Sequence, residues 1–125
     1  MARLFLLLSH RLTPEQISDA RATFGVSEFV EFDSKLMAKW ASVPPQIGDL
    51  NEFLAEFKEA LNQARAGDFA LIQGEFGATH AMVNYAKSIG VKPIHATTLK
   101  DSKEIIQDGK IKKISIFKHV RFREY

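Results

Sequence analysis

Cysteine is absent from this sequence of 125 residues. Its absence excludes disulfides, thiolate nucleophiles, iron–sulfur clusters and zinc–thiolate sites. A small domain without cysteine suits the reducing cytosol, so we expect a cytoplasmic protein. Long apolar runs are absent too, because Leu4–Leu8 falls short of the roughly 7–15 residues of a signal-peptide core and of the ~20 residues of a membrane span. We therefore expect this run to be a buried strand, and we expect no membrane partner.

Charge of one sign is only slightly in excess, since the formal net charge is +2. This excess is too small for a protein that coats long nucleic acid, so we expect no such partner. The four histidines show no metal-ligand spacing with each other or with the acids, so we expect neither a metal nor a cofactor. The charge is nevertheless uneven, because the stretch 110–123 carries six Lys or Arg residues and no acid. It forms either a strand edge that its charge protects from aggregation or a basic wall that faces an anionic ligand.

The apolar content of 46% is enough for one packed core, and the length suits a single domain, residues 1–125. Strand patterns alternate with amphipathic helices along most of the chain. The predicted strands are 3–8, 28–33, 68–73 and 91–97. Asp108-Gly109 predicts a tight turn between 104–107 and 111–122. The expected fold is α/β and Rossmann-like: a mostly parallel four-stranded sheet flanked by helices, followed by a C-terminal β-hairpin.

The carboxyl ends of the strands are where such a sheet binds its ligand. All four expected ends are polar, and they are Ser9-His10, Asp33-Ser34, Gln73–Thr79 and Thr97-Thr98. Serine and aspartate at these places are also typical helix caps, which explains Asp33 and Ser34 without any ligand.

The third end, QGEFGAT, has no such simple explanation. Gly74 and Gly77 permit positive φ and let a ligand approach the backbone closely. A helix that starts near Gly77 or Ala78 would present free N–H groups and a positive dipole end. The segment is neither a Walker A loop nor a GxGxxG turn, so a nucleoside triphosphate enzyme is not expected. The pattern favours a site for a phosphodiester oxygen.

Several side chains near these ends have two interpretations each. His10 is either a general acid for a leaving oxygen or a surface histidine. Trp40 either stacks on a purine from a mobile flap or anchors a loop to the core. Glu75 is either a base or an exposed loop acid. For His80 and His95 we expect packing or surface positions.

Four segments together carry a resemblance to a known family: LFLLLSHRLTPEQ, WASVPP, GDFALIQGEFGATHAMV and HATT. They resemble the small stand-alone ring nucleases of type III CRISPR systems, which are Rossmann-like and related to CRISPR-associated nucleotide-sensing domains. The resemblance runs from Leu4 to about Lys100 and covers the C-terminal hairpin only loosely.

This resemblance implies an enzyme that binds and linearises a cyclic oligoadenylate, most often the four-adenylate ring, and so switches off antiviral signalling. It implies metal-free cleavage in which the ribose 2′-hydroxyl attacks the neighbouring phosphate and leaves a 2′,3′-cyclic phosphate. It also implies a homodimer with two copies of the turn around one ring. A non-cleaving sensor or sponge for the same ring is the alternative, and an unrelated nucleotide-binding domain is a third possibility.

Carried over by position, the resemblance implies catalytic roles for His10, Ser9 and Gln73, with His10 as the proton donor to the leaving group. The expected ligand-contacting residues come from the strand ends and the proline-rich segment: Gly74, Glu75, Phe76, Gly77, Ala78, Thr79, Thr97, Thr98, Asp33 and Trp40. Backbone amides of residues 77–79 would hold phosphate, while Gln73 and Thr98 would orient ribose or base.

Overall fold

A computed structural model describes residues 2–125. Its elements are β1 (Ala2–Leu7), α1 (Pro14–Phe24), β2 (Val26–Glu31), α2 (Ser34–Trp40), α3 (Asn51–Leu61), β3 (Phe69–Ile72), α4 (Phe76–Ser88), β4 (Lys92–Gln107) and β5 (Lys110–Glu124). The strands form one sheet in the order β2-β1-β3-β4-β5. β1 pairs in parallel with β2 and β3, and β3 with β4, whereas β5 is antiparallel to β4. The expected α/β class is confirmed, but the sheet is mixed and five-stranded, because the C-terminal strand joins it.

Local sequence signals set the first helix. The Thr13 hydroxyl accepts a hydrogen bond from the Gln16 backbone N–H, and the Gln16 side chain accepts one from the Thr13 N–H. Pro14 occupies the first turn, and Gly25 ends the helix with φ of 66°. This reciprocal cap satisfies N–H groups that have no partner within the helix.

Helices cover the two faces of the sheet unequally. α2, α3 and α4 bury one face, whose core contains Phe5, Trp40, Phe57 and Met82. α1 is the helix whose Ala20 and Phe24 pack on the other face, over Leu4, Leu71, Ile94 and Phe122. The central strands β1 and β3 are therefore buried on both sides, and their polar continuations emerge at one edge of the sheet. No helix among residues 2–125 is long and apolar enough to span a membrane.

β4 and β5 extend well past the parallel sheet. β3 pairs with β4 only as far as Leu71 and Ile94, whereas β5 stays paired with β4 as far as Gln107. The predicted turn at Asp108-Gly109 is confirmed, and both residues have positive φ, at 55° and 73°, as a two-residue hairpin turn requires. The prediction that a strand ends at Thr97-Thr98 is wrong, because β5 supplies hydrogen-bonding partners beyond that point. We call residues 98–119 the arm.

Candidate functional site

The chain order across the sheet identifies where a ligand would bind. β1 leads to β2 on one side and β3 follows on its other side, so the connections change direction between β1 and β3. Ligands of open α/β sheets bind at the carboxyl ends of the strands at such a point. The ends lie side by side, since the Gln73 N–H donates to the Leu7 carbonyl at 3.0 Å.

A cavity of about 460 Å³ opens between the end of β3, the start of α4 and β4. We call it the β3–β4 cavity. The polar side chains that line it come from α4, from β4, from the residue that follows β3 and from the last residue of the chain: Thr79, His80, His95, Gln73 and Tyr125. Its volume lies at the lower part of the range of about 300–1,000 Å³ for small-molecule sites, so it suits one unit of a larger ligand.

Gln73 joins the two strands that border this cavity. Its side-chain oxygen accepts a hydrogen bond from the Ala96 N–H at 2.6 Å, which extends the pairing of β3 with β4. Its backbone carbonyl accepts one from Trp40 Nε1 at 2.9 Å. Because the side-chain oxygen is bound to backbone, the NH₂ group is the part of this amide that can donate to a ligand.

Gly74 is required by packing rather than by ligand approach. A Cβ on Gly74 would lie 2.7 Å from Trp40 Nε1, too close for any side chain. Neither Gly74 nor Gly77 is among the glycines with positive φ. Trp40 is 2% exposed, so the mobile-flap interpretation of this residue is wrong. The indole is a core anchor beneath the turn, and α2 holds it there.

The amides at the start of α4 are already occupied. The helix begins at Phe76, and the Glu75 carboxylate accepts hydrogen bonds from the N–H groups of Gly77 at 2.6 Å and Ala78 at 3.2 Å. The Thr79 N–H donates to the Glu75 carbonyl. The expected cradle of free amides is therefore wrong for this structure, because Glu75 stands where a phosphate was expected. Phe76 is 94% exposed at the mouth of the cavity.

Replacing Glu75 by alanine tests this assignment. We expect a loss of about 1 kcal/mol in the free energy of unfolding, because a helix loses its side-chain cap. We also expect tighter binding of an anionic ligand, because two N–H groups become free and a like charge leaves the mouth. Urea denaturation and ligand titration measure the two effects, with Glu59→Ala, at an exposed position of α3, as the control. Weaker binding by Glu75→Ala would show instead that Glu75 contacts the ligand.

His95 and Tyr125 form the inner wall of the cavity. Their rings lie 4.7 Å apart between centroids, and the Tyr125 hydroxyl donates to the Ile72 carbonyl at 2.5 Å. Burial and the neighbouring Arg123 guanidinium lower the pKa of His95 from its ordinary 6.5, although a backbone hydrogen bond at Ala96 opposes the shift. Burial raises the pKa of Tyr125. At neutral pH the site therefore presents an uncharged imidazole beside an uncharged phenol.

Two further groups of the cavity belong to the first turns of α4. Thr79 Oγ1 is buried and has no hydrogen-bond partner within residues 2–125, which is uncommon for a buried hydroxyl. His80 is exposed, and its Nε2 lies 3.2 Å from Asn84 Nδ2. The predicted packing or surface positions of His80 and His95 are thus incomplete, since both also line the cavity.

Comparison with known proteins places the whole chain in a family. The sequence model described as "Uncharacterized protein MJ1673 family" matches residues 2–123. The chain belongs to the MJ1673 family. "Uncharacterized protein MJ1673" of Methanocaldococcus jannaschii is 45% identical over 126 residues, which cover 100% of this chain and 98% of that protein. No solved structure matches the chain.

The remaining predicted site residues of this MJ1673-family chain lie outside the β3–β4 cavity. Ser9 and His10 are exposed and line a different groove of about 770 Å³, between α1 and the ends of β1 and β2. Asp33 caps α2, since its carboxylate accepts from the Lys35 N–H at 2.7 Å, as the capping interpretation predicts. Thr97 donates to the Arg121 carbonyl at 2.8 Å, and Thr98 is exposed on the arm.

Tyr125 and the role of His95 were missed from the sequence. Side chains alternate between the two faces of β4, and Ile94 packs in the core beside Leu71. His95 must therefore face α4 on the opposite side of the sheet, and the alternating pattern of the sequence would have predicted this position. The position of Tyr125 could not be predicted from a local pattern, because it depends on the pairing of Ile94 with Glu124 across the sheet. Within residues 2–125, no group of three or more His, Asp or Glu side chains is placed to hold a metal ion.

Proposed function

We propose that this MJ1673-family protein is a cytoplasmic enzyme that binds a cyclic oligoadenylate, with the four-adenylate ring as the expected substrate, and opens it. The observation that carries the proposal is the convergence of Gln73, His95 and Tyr125 on one cavity beside the point where the strand connections change direction. Ligands of α/β sheets are expected there. The resemblance of QGEFGAT and its neighbouring segments to Rossmann-like ring nucleases supplies the substrate class and the role in ending type III CRISPR signalling.

The proposed reaction needs no added cofactor to balance. The ribose 2′-oxygen attacks the adjacent phosphorus, the bond from phosphorus to the 5′-oxygen breaks, and a 2′,3′-cyclic phosphate and a 5′-hydroxyl form. One proton leaves the 2′-hydroxyl and one reaches the 5′-oxygen. We assign the first transfer to His95, because its lowered pKa keeps the imidazole able to accept a proton at neutral pH.

Two histidines, His10 and His80, are candidates for the proton donor to the 5′-oxygen, and they lie in two different cavities at the strand ends. His10 is our assignment, and it lies three residues beyond the end of β1, where it lines the neighbouring groove. A ring of several nucleotides is large enough to reach across the adjacent ends of β1 and β3. His80, inside the β3–β4 cavity, is the competing donor, and comparing His10→Ala with His80→Ala decides between them.

The two interpretations of the basic stretch 110–123, a protected strand edge and a basic wall that faces an anionic ligand, apply to different parts of it. Arg123 lies opposite His95 in the β4–β5 pairing, where its charge would attract a phosphate toward the cavity. The lysines of this stretch lie instead on the exposed arm, where they suit the protection of a strand edge. Only the end of the stretch is therefore part of the proposed site.

The test is an incubation of the protein, in excess over ring and in EDTA, with rings of different size. Chromatography and mass spectrometry should find a linear product that ends in a 2′,3′-cyclic phosphate. A ring with 2′-deoxyribose should bind and stay intact, because it lacks the nucleophile. An intact natural ring after long incubation would contradict cleavage, and tight binding without turnover would indicate a sensor or sponge. Equal binding of mononucleotides would indicate an unrelated nucleotide-binding domain.

A further inference from the structure

The arm exposes an unusual amount of apolar surface. Among the described residues, seven of the eleven exposed large apolar side chains lie on it: Leu99, Ile105, Ile106, Ile111, Ile114, Ile116 and Phe117. A two-stranded ribbon without a packed face is only marginally stable in water. Exposed apolar surface of this extent marks an interaction site in a soluble protein.

The two outer edges of the arm differ in charge. The β5 side carries four lysines and no acid between Lys110 and His119, so pairing two copies along this edge would bring like charges together. The β4 side has Lys100 and Lys103 balanced by Asp101 and Glu104. The edge with balanced charge is therefore the one suited to accept another strand.

The free part of the β4 edge has clear limits. At its inner end, the Ala96 N–H is already bonded to Gln73 Oε1, so the free edge begins at Thr97. At its outer end, β4 stops at Gln107 before the turn. The midpoint of this edge is Ser102.

The side chains of β4 are self-complementary about that same residue. If two copies run antiparallel with Ser102 opposite Ser102, then Lys100 of each lies opposite Glu104 of the other. Asp101 then lies opposite Lys103, and Leu99 opposite Ile105. Opposite charges and apolar pairs placed directly across two strands stabilise a sheet, and symmetry counts each of these pairs twice. The length of the free edge and its side-chain pattern select the same axis independently.

We propose that two copies of this chain pair along β4 around a two-fold axis at Ser102. The result is a four-stranded antiparallel sheet with β5 on each outer side. The register of β4 with β5 puts Leu99, Ile105, Ile114 and Ile116 on one face, so the dimer gathers eight of these side chains on a single face. Such an interface is isologous and closes on itself, and the lysine-bearing β5 edges are left to face water.

This pairing also changes what lies beside the β3–β4 cavity. Continuing the register brings Asp108 of the second copy opposite Ala96, so the partner's turn reaches the rim of the cavity. The two cavities lie about 12 residues of strand apart, or roughly 40 Å. This consequence rests on the proposed function, whereas the pairing itself does not. The pairing therefore predicts two separate sites, each bordered by the tip of the partner's arm, instead of the expected single pocket formed by two copies of the turn around one ring.

A single cysteine in this cysteine-free chain tests the axis. Residues directly opposite in an antiparallel pair have Cα atoms about 4.5–5.5 Å apart, within the 4.4–6.8 Å range of disulfides. Ser102→Cys should therefore give a disulfide-linked dimer under mild oxidation, seen on non-reducing gels. Ser115→Cys is the matched control, because Ser115 pairs with Ser102 across the hairpin. Two Ser115 residues would lie three strand spacings apart, about 14 Å, and should not link. Equal linking of both variants, or no linking of Ser102→Cys, would overturn the proposal.

Charge exchange tests the register without any cross-link. Asp101→Lys and Lys103→Asp each put like charges opposite one another twice, so each variant should dimerise about 10- to 100-fold more weakly than the wild type. An equal mixture of the two should form a heterodimer of near wild-type strength, as should the double variant with itself. The cross-strand partners of these positions within the hairpin are Ile116 and Ile114, so no ion pair inside the arm is lost. A monomeric wild type, or single variants that dimerise normally in sedimentation velocity, would contradict the register.

Discussion

Replacing Trp40 by alanine is expected to lower the free energy of unfolding by about 3–5 kcal/mol, the usual cost of removing a large buried aromatic side chain. The indole is 2% exposed and lies 5.5 Å from the Phe57 ring between centroids. Its Nε1 donates to the Gln73 carbonyl, so the substitution also releases the residue that leads into the QGEFGAT turn. Urea denaturation followed by circular dichroism measures the loss, since the variant has no tryptophan left to report by fluorescence.

Trp40→Phe is the control, because it keeps an aromatic ring but removes the hydrogen bond to Gln73. We expect it to lose less than half as much stability as Trp40→Ala. A loss below about 1 kcal/mol for Trp40→Ala would resemble an exposed substitution and would contradict the buried position. Tryptophan emission of the wild type should also stay unchanged when ligand binds, whereas strong quenching would support stacking on a base.

Replacing His95 by alanine is expected to slow ring opening by about 10²–10⁴-fold, the range of a general base or acid. Affinity for the ring should change little, because the imidazole is assigned to proton transfer and not to holding the ligand. Single-turnover rates at saturating protein, together with a separate binding titration, measure the two effects. Equal losses of rate and affinity would make His95 a positioning residue, and an unchanged rate would exclude it.

The pH profile provides a readout that a merely structural role would not produce. Burial and Arg123 lower the pKa of His95 below 6.5, so the base is neutral at pH 7 and is lost only as pH falls further. The wild-type rate should therefore hold steady at neutral pH and decline below pH 6.5. A decline that begins above that value would point to a different base.

The local structure of caps and turns was predictable from the sequence. The capped start of α1 at Thr13 and the turn at Asp108-Gly109 depend on residues that are neighbours in the chain. The placement of QGEFGAT after a buried strand followed from hydrophobic pattern alone. A carboxyl-edge location for Gln73 follows from that placement, because parallel strands end together.

The side-chain contacts at that edge of the sheet were not predictable from the sequence, because they form between residues that are distant in the chain. Gly74 is glycine on account of Trp40, and these residues are 34 positions apart in the chain. β4 continues past Thr98 because β5 pairs with it, and the same pairing brings Tyr125 to His95. The sequence pattern marked a turn that suits an anion, but it gave no sign that the Glu75 carboxylate takes that place.

The claim that the β3–β4 cavity is the functional site is tested most directly by one pair of variants, Gln73→Glu and Gln63→Glu. Each adds one negative charge at constant size. Glutamate at position 73 keeps the oxygen that accepts from the Ala96 N–H, so the fold should be retained, while Gln63 is exposed and lies outside the cavity. We predict that Gln73→Glu weakens ring binding at least about tenfold, through repulsion of phosphate at close range, and that Gln63→Glu binds as the wild type does. Wild-type binding by Gln73→Glu would contradict the account.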